Sequence, residues 1–151
     1  MSTERKEMVL YCFDGSEGAM RALERAATLF PGHPSLVVCV WQSVWDTVMA
    51  PPLAGLPGDT VEQIDHATAE RSRELAHEGV RLVPGAEPRM TKERGSVWRT
   101  ILEVAESVDA SVIVVGSRGL GGLQSMILGS VSHALVNHSP RPVLVIPSED
   151  R

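Results

Sequence analysis

Short apolar runs alternating with segments of helical period constrain the fold of this 151-residue chain more than any other feature. Met8-Val-Leu-Tyr-Cys-Phe13, Ser35-Leu-Val-Val-Cys-Val-Trp41, Ser111-Val-Ile-Val-Val115 and Pro142-Val-Leu-Val-Ile146 have strand length and are apolar on both faces, as strands sandwiched between helices must be. Residues 86–93 alternate weakly, and Pro88 removes a ladder donor, so a strand there belongs at a sheet edge.

The intervening segments carry helix signals. Asp14-Gly15-Ser16 reads as a turn and N-cap, after which Ala19, Leu23, Ala26, Ala27 and Phe30 share one side and Pro31-Gly32 ends the helix. Asp59 and Glu62 predict a capping box opening a mostly polar helix to about residue 78, with a thin stripe of Val61, Ile64, Ala67 or Thr68, and Leu75, and with Gly79 as its stop. Gly95-Ser96 is expected to cap a third helix whose apolar face is Trp98, Ile101, Leu102, Ala105 and Val108; Val131, Ala134, Leu135 and His138 make a short fourth stripe. The order βαβαβαβαβ implies an α/β fold: a single doubly wound, five-stranded parallel sheet with helices on both faces. Ligands of such sheets bind at the carboxyl ends of the strands, where the winding reverses. Residues 1–151 form one domain. The stretch 42–58 holds three prolines and two glycines, is long for an idle connection, and reads as a lid or partner surface.

A net charge of −5 provides no general attraction for nucleic acid, and 4% aromatic residues leave little for base stacking. Cys12 and Cys39 each sit inside an apolar run and read as buried thiols of a reducing compartment. No run approaches the ~20 apolar residues of a membrane span, so a cytoplasmic protein without a membrane partner is expected.

The chemistry concentrates after the fourth strand. Gly116-Ser-Arg-Gly119, nine residues, then Gly129-Ser130 place glycines where backbone must come close to a phosphate. A helix beginning near Gly129 would add unpaired amides, the positive end of its dipole and the Ser130 hydroxyl. No Gly-Lys-Ser or Gly-Lys-Thr is present, which rules out a P-loop, and the motif does not follow the first strand as a dinucleotide fingerprint does. Arg118, the one cation between Gly116 and Pro140, reads equally as a phosphate partner or a solvated charge, and Asp14 as turn chemistry or ligand contact. His66, His77, His133 and His138 lack carboxylates or cysteines at metal-ligand spacing, and Ser130 has no evident base, so neither a metal site nor nucleophilic catalysis is expected.

With VLYCFDGSEGAMRALERA at the first strand, ASVIVVGSRG at the fourth, the spaced Gly-Ser and the ending PRPVLVIP, the chain resembles the universal stress protein family over nearly its whole length. Its G-x2-G-x9-G-(S/T) arrangement is similar to that of the family's ATP-binding branch. The resemblance implies a Rossmann-like sandwich akin to the adenine nucleotide alpha hydrolases. It implies ATP as ligand, with Mg2+ carried on the phosphates, Asp14 at the ribose and the Val40 backbone at adenine. Gly116, Arg118, Gly119, Gly129, Ser130 and Val131 would surround the phosphates. It further implies a homodimer through the last strand, Val143–Ile146, whose apolar edge is in any case a hazard unless paired. The expected function is nucleotide-dependent regulation of an unidentified protein partner in a stress response, by binding without turnover; slow ATP hydrolysis or self-phosphorylation is the alternative.

Overall fold

Side chains alternate across a strand, so a strand apolar at every position needs cover on both faces. The computed structural model, which describes residues 7–46, 55–118 and 128–148, supplies that cover. Its elements are β1 (Met8–Cys12), α1 (Glu17–Leu29), β2 (Ser35–Trp41), a 3-10 turn at Val44–Asp46, α2 (Gly58–Val80), β3 (Glu87–Lys92), α3 (Val97–Ser107), β4 (Ala110–Gly116), α4 (Ser130–His138) and β5 (Val143–Ile146). All strand pairs are parallel, in the order β3-β2-β1-β4-β5, which matches the expected doubly wound sheet. The winding reverses between β1 and β4. β3 pairs only with β2, so Pro88 lies on an edge strand as expected.

Tyr11, Phe13, Leu23, Val37 and Val114 pack on the face that α1 and α2 cover, while Leu10, Val38, Ile101, Ile113 and Leu135 pack on the face under α3 and α4. Each such aliphatic or aromatic side chain, fully buried, contributes roughly 1.5–3 kcal/mol. The cysteines divide between these faces: Cys12 lies in the α3/α4 core, whereas the Cys39 carbonyl accepts from the Ser72 hydroxyl of α2 at 3.5 Å. Both thiols are free and buried.

Helix α2 corrects three expectations. It begins at Gly58 with Pro57 at the N-cap and no side-chain cap, and Asp59 Oδ1 accepts only from the Thr60 amide at 3.0 Å, so the capping box does not form. Gly79 does not stop the helix; it lies inside it. A Cβ there would stand 2.7 Å from Val37 Cγ1 and 2.9 Å from Phe13 Cδ1, so this glycine lets α2 settle onto the sheet. The buried stripe is Val61, Ser72, Ala76 and Gly79, and Ile64 is exposed. Val61 and Leu75 of the expected stripe do face the core, Leu75 partly buried, and Ser72 joins them by bonding to the sheet. The stretch 42–58 enters through the 3-10 turn, which Asp65 pins: its Oδ1 accepts from Ser43 Oγ and from the Val44 amide, each at 2.7 Å. Residues 47–54 of that stretch lie outside the described residues.

Candidate functional site at the carboxyl edge of the sheet

Past β1, Asp14 Oδ1 accepts from the Ser16 amide at 2.9 Å, and Ser16 Oγ accepts from the Ala19 amide at 3.1 Å. Ser16 thus caps the Ala19 amide at the N-terminus of α1, the capping expected of it. Asp14 remains half-buried on the rim.

Gly116 ends β4 and is buried. A Cβ there would stand 3.1 Å from the Gly18 carbonyl oxygen, and one on Gly18 would stand 3.0 Å from the Arg118 carbonyl oxygen. The first turn of α1 and the end of β4 thus touch backbone to backbone. Neither Gly116 nor Gly129 has a positive φ, so at Gly116 what demands glycine in this structure is close approach to protein rather than an unusual conformation.

Ser117, which carried no assigned role in the motif, ties the two ends of the glycine loop together. Its amide donates to the Ile146 carbonyl at 2.9 Å, its hydroxyl accepts from the Ser148 amide at 3.0 Å, and its carbonyl accepts from the Gly129 amide at 2.6 Å and from Ser132 Oγ at 3.2 Å. The two described flanks of the loop are thereby joined and anchored to the end of β5. The Gly129 amide is consequently taken internally and unavailable to a ligand, while Gly119 lies outside the described residues with the rest of 119–127.

Helix α4 begins differently from α1. Its N-cap, Gly129, has extended backbone and no side chain to fold back, and the first helical bond runs from the His133 amide to the Gly129 carbonyl at 2.9 Å. The amides of Ser130, Val131 and Ser132 therefore have no intrahelical acceptor. Ser132 Oγ donates to carbonyls and does not cap. Arg118, whose Cα would lie 3.6 Å from a Cβ on Gly129, has its Nε buried without a hydrogen-bond partner. Unpaired amides, a positive dipole end and an unmatched guanidinium N–H are features that can hold an anion.

Val40 stands half-buried near the end of β2, opposite Thr91 of β3. Asp14, Val40, Gly116, Arg118, Gly129, Ser130 and Val131 thus share one rim, at the ends of three adjacent strands and the start of α4. Sequence reasoning missed Gly18, Ser117 and Ser132. A glycine in the first turn of a helix was the one signal for Gly18; the serines become legible only when the loop ends meet.

Burial pushes the Cys12 thiol up to about 12, with the Asp14 carboxylate adding to the effect. Cys39 is also raised, mainly by burial, against a hydrogen bond to Ser72. Neither thiol is a nucleophile at neutral pH. Among the described residues no group of three His, Cys, Asp or Glu side chains could hold a metal ion, and no helix is long and apolar enough to cross a membrane.

Residues 7–147 match the family model described as the universal stress protein family. The chain is 31% identical over 140 residues to a universal stress protein of Thermus aquaticus, covering 91% of this chain and 96% of that one. Among solved structures, it superposes on hypothetical protein MJ0577 with a TM-score of 0.79 at 18% identity, covering 97% of this chain and 99% of the other. A universal stress protein from Archaeoglobus fulgidus in complex with dAMP superposes with a TM-score of 0.54 at 21% identity, covering 93% and 96%.

Proposed function

The chain belongs to the universal stress protein family, and we propose that it is an ATP-binding member whose nucleotide occupancy, without turnover, regulates a protein partner in the stress response. The observation that carries this reading is the buried, unmatched Nε of Arg118, a residue whose backbone adjoins the open N-terminus of α4. A buried donor without an acceptor is costly, and a phosphate oxygen supplies the acceptor. The Archaeoglobus relative holds dAMP, an adenine nucleotide, which supports the same class of ligand here. ATP would enter with Mg2+ carried on its phosphates, Asp14 near the ribose and the Val40 backbone at the base.

Binding without turnover is favoured by the state of Asp14, the acid on this rim beside the phosphate end. One of its oxygens already accepts the Ser16 amide, so it serves a turn before it could orient a water. The free cysteines suit a reducing compartment, the cytoplasm. β5 lies at the sheet edge, beside a groove lined by Glu24, Arg25, Thr28, Leu29, Ile146 and Pro147, and pairing there with a second copy would complete a homodimer. Nucleotide could reach that edge through Ser117, which bonds both the loop and the end of β5.

Calorimetric titration of ATP into wild type and Arg118→Ala tests the assignment. Loss of a charge-assisted hydrogen bond of ~1.5–3 kcal/mol predicts an affinity lower by about tenfold to a hundredfold. Equal affinities would sink the phosphate site.

A further inference from the structure

Buried polar side-chain atoms without partners are rare in folded proteins, and each one calls for an explanation. Among the described residues they are Tyr11 Oη, His33 Nδ1, Glu93 Oε2, Ser96 Oγ and Arg118 Nε. Arg118 belongs to the phosphate end described above. Glu93 and Ser96 follow β3 directly and lie at the same carboxyl edge of the sheet, two strands beyond Asp14.

The Glu93 amide donates to the Trp41 carbonyl at 2.8 Å, so the β2–β3 ladder continues one residue past Lys92 and fixes the position of Glu93 beside the end of β2. Alternation along β3 places Glu93 with Arg89 on the α3 side of the sheet, where Arg89 reaches Ser107 of α3. Val40 packs on that same face. No cation among the described residues pairs with the Glu93 carboxylate; the neighbouring Arg94 instead approaches Glu103 at 4.0 Å. Ser96 occupies the N-cap of α3, yet its hydroxyl makes no cap bond, and the Arg94 amide and the Ser96 carbonyl are both bonded to Thr100 Oγ1. The turn is held by Thr100, while Glu93 Oε2 and the Ser96 hydroxyl stay without hydrogen-bond partners.

Distance across the sheet decides what they could meet. Neighbouring strands are about 4.8 Å apart, so the end of β3 lies roughly 14 Å from the end of β4, three spacings away. A nucleotide with its phosphates at β4 and its ribose at β1 reaches that far only with the outer edge of its base. A carboxylate there accepts from an exocyclic amine, the N6 donor of adenine, and repels a carbonyl oxygen at the same place. We infer that Glu93, assisted by Ser96, is the base-reading end of the nucleotide site and selects a 6-amino purine over a 6-oxo purine. This rests on the proposed nucleotide function and adds the residue that discriminates the base.

The experiment is titration of ATP and of inosine triphosphate into wild type, Glu93→Gln and Ser96→Ala, with circular dichroism verifying that each variant is folded. Wild type is expected to favour ATP by about tenfold or more, because a site built to accept a hydrogen bond is left unpaired by the wrong base. The Glu93→Gln amide can both donate and accept, so the ratio should shrink to within about threefold, and Ser96→Ala should bind ATP several-fold more weakly with selectivity retained. Should Glu93→Gln fail to fold, the wild-type ratio and the Ser96→Ala affinity still decide. Equal wild-type affinities, an unchanged ratio in Glu93→Gln, or undiminished ATP binding by Ser96→Ala overturn the inference while ATP binding itself stands. Absence of binding by wild type to either nucleotide overturns the inference and the proposed function together.

Discussion

Two helices of this molecule start at the same edge of the sheet and are finished in opposite ways. At α1, Asp14 holds the Ser16 amide and Ser16 holds the Ala19 amide, so the helix end carries a side-chain cap of its own. At α4, Gly129 can offer no side chain, Ser132 turns its hydroxyl toward carbonyls, and Arg118 Nε stands buried without an acceptor. A capped helix end serves the fold, whereas an uncapped one with an unmatched guanidinium N–H on an adjoining residue has the features that suit an anion. The end of α3 leans to the second kind, since Ser96 sits at its N-cap without capping it.

The largest expected effect comes from closing the open end. Gly129 has φ −68°, and a Cβ there would meet no atom nearer than the Ser117 carbonyl oxygen at 3.4 Å, so Gly129→Asp can be accommodated with a small adjustment. Exchanging Gly for Asp at an N-cap alters helix stability by only a few tenths of a kcal/mol. The new carboxylate would, however, take the α4 amides and attract Arg118, and ATP affinity should fall by about a hundredfold or more while the melting temperature stays within a few degrees. Strong ATP binding by a folded Gly129→Asp protein would break the comparison.

Opening the closed end should do the reverse. Ser16→Ala removes the cap bond and is expected to cost about 1 kcal/mol of stability by chemical denaturation. Its ATP affinity should stay within about twofold of wild type, and a tenfold loss would show that α1 also serves the ligand.

The smallest effect at neutral pH concerns Cys12, just below the closed end. With its thiol held up to about 12 in the fold against an ordinary value of 9.0, alkylation of the native protein at pH 8 should proceed only as fast as the structure opens. The sign of the linkage follows: the unfolded chain loses this proton above its ordinary value while the folded chain keeps it. The stabilisation is therefore complete below about pH 9 and is lost progressively as pH climbs toward 12. Rapid labelling at pH 8 would show that the floor of this edge is not sealed.

Much of this was legible in the residues and some was not, for identifiable reasons. The Ser16 cap, the start of α4 after Gly129, and the edge placement of Pro88 depend on a few consecutive residues and could be read locally. Gly79 looked like a helix stop because glycine usually is one. Only the approach of Val37 and Phe13, more than forty residues away in sequence, shows that it is a packing contact. Asp65 offered no sequence signal for holding Ser43, and the apolar residue Ile64 beside it pointed to the wrong face of α2. The glycine motif was visible in the residues, but the packing of Gly116 against the Gly18 carbonyl was not. Glu93 and Ser96 were not, since a single acid and a single serine after a weak strand have no distinctive pattern.

What the residues alone determined is the inventory and order of strands and helices, which strand lies at the margin, and where glycine interrupts the chain, because periodicity and turn chemistry act over a few bonds. What the tertiary structure decided is which of those glycines face protein, which serines hold the loop, and which polar atoms remain unmatched. Those outcomes depend on how elements far apart in the chain are brought within a few ångströms of each other, and no local pattern encodes that distance.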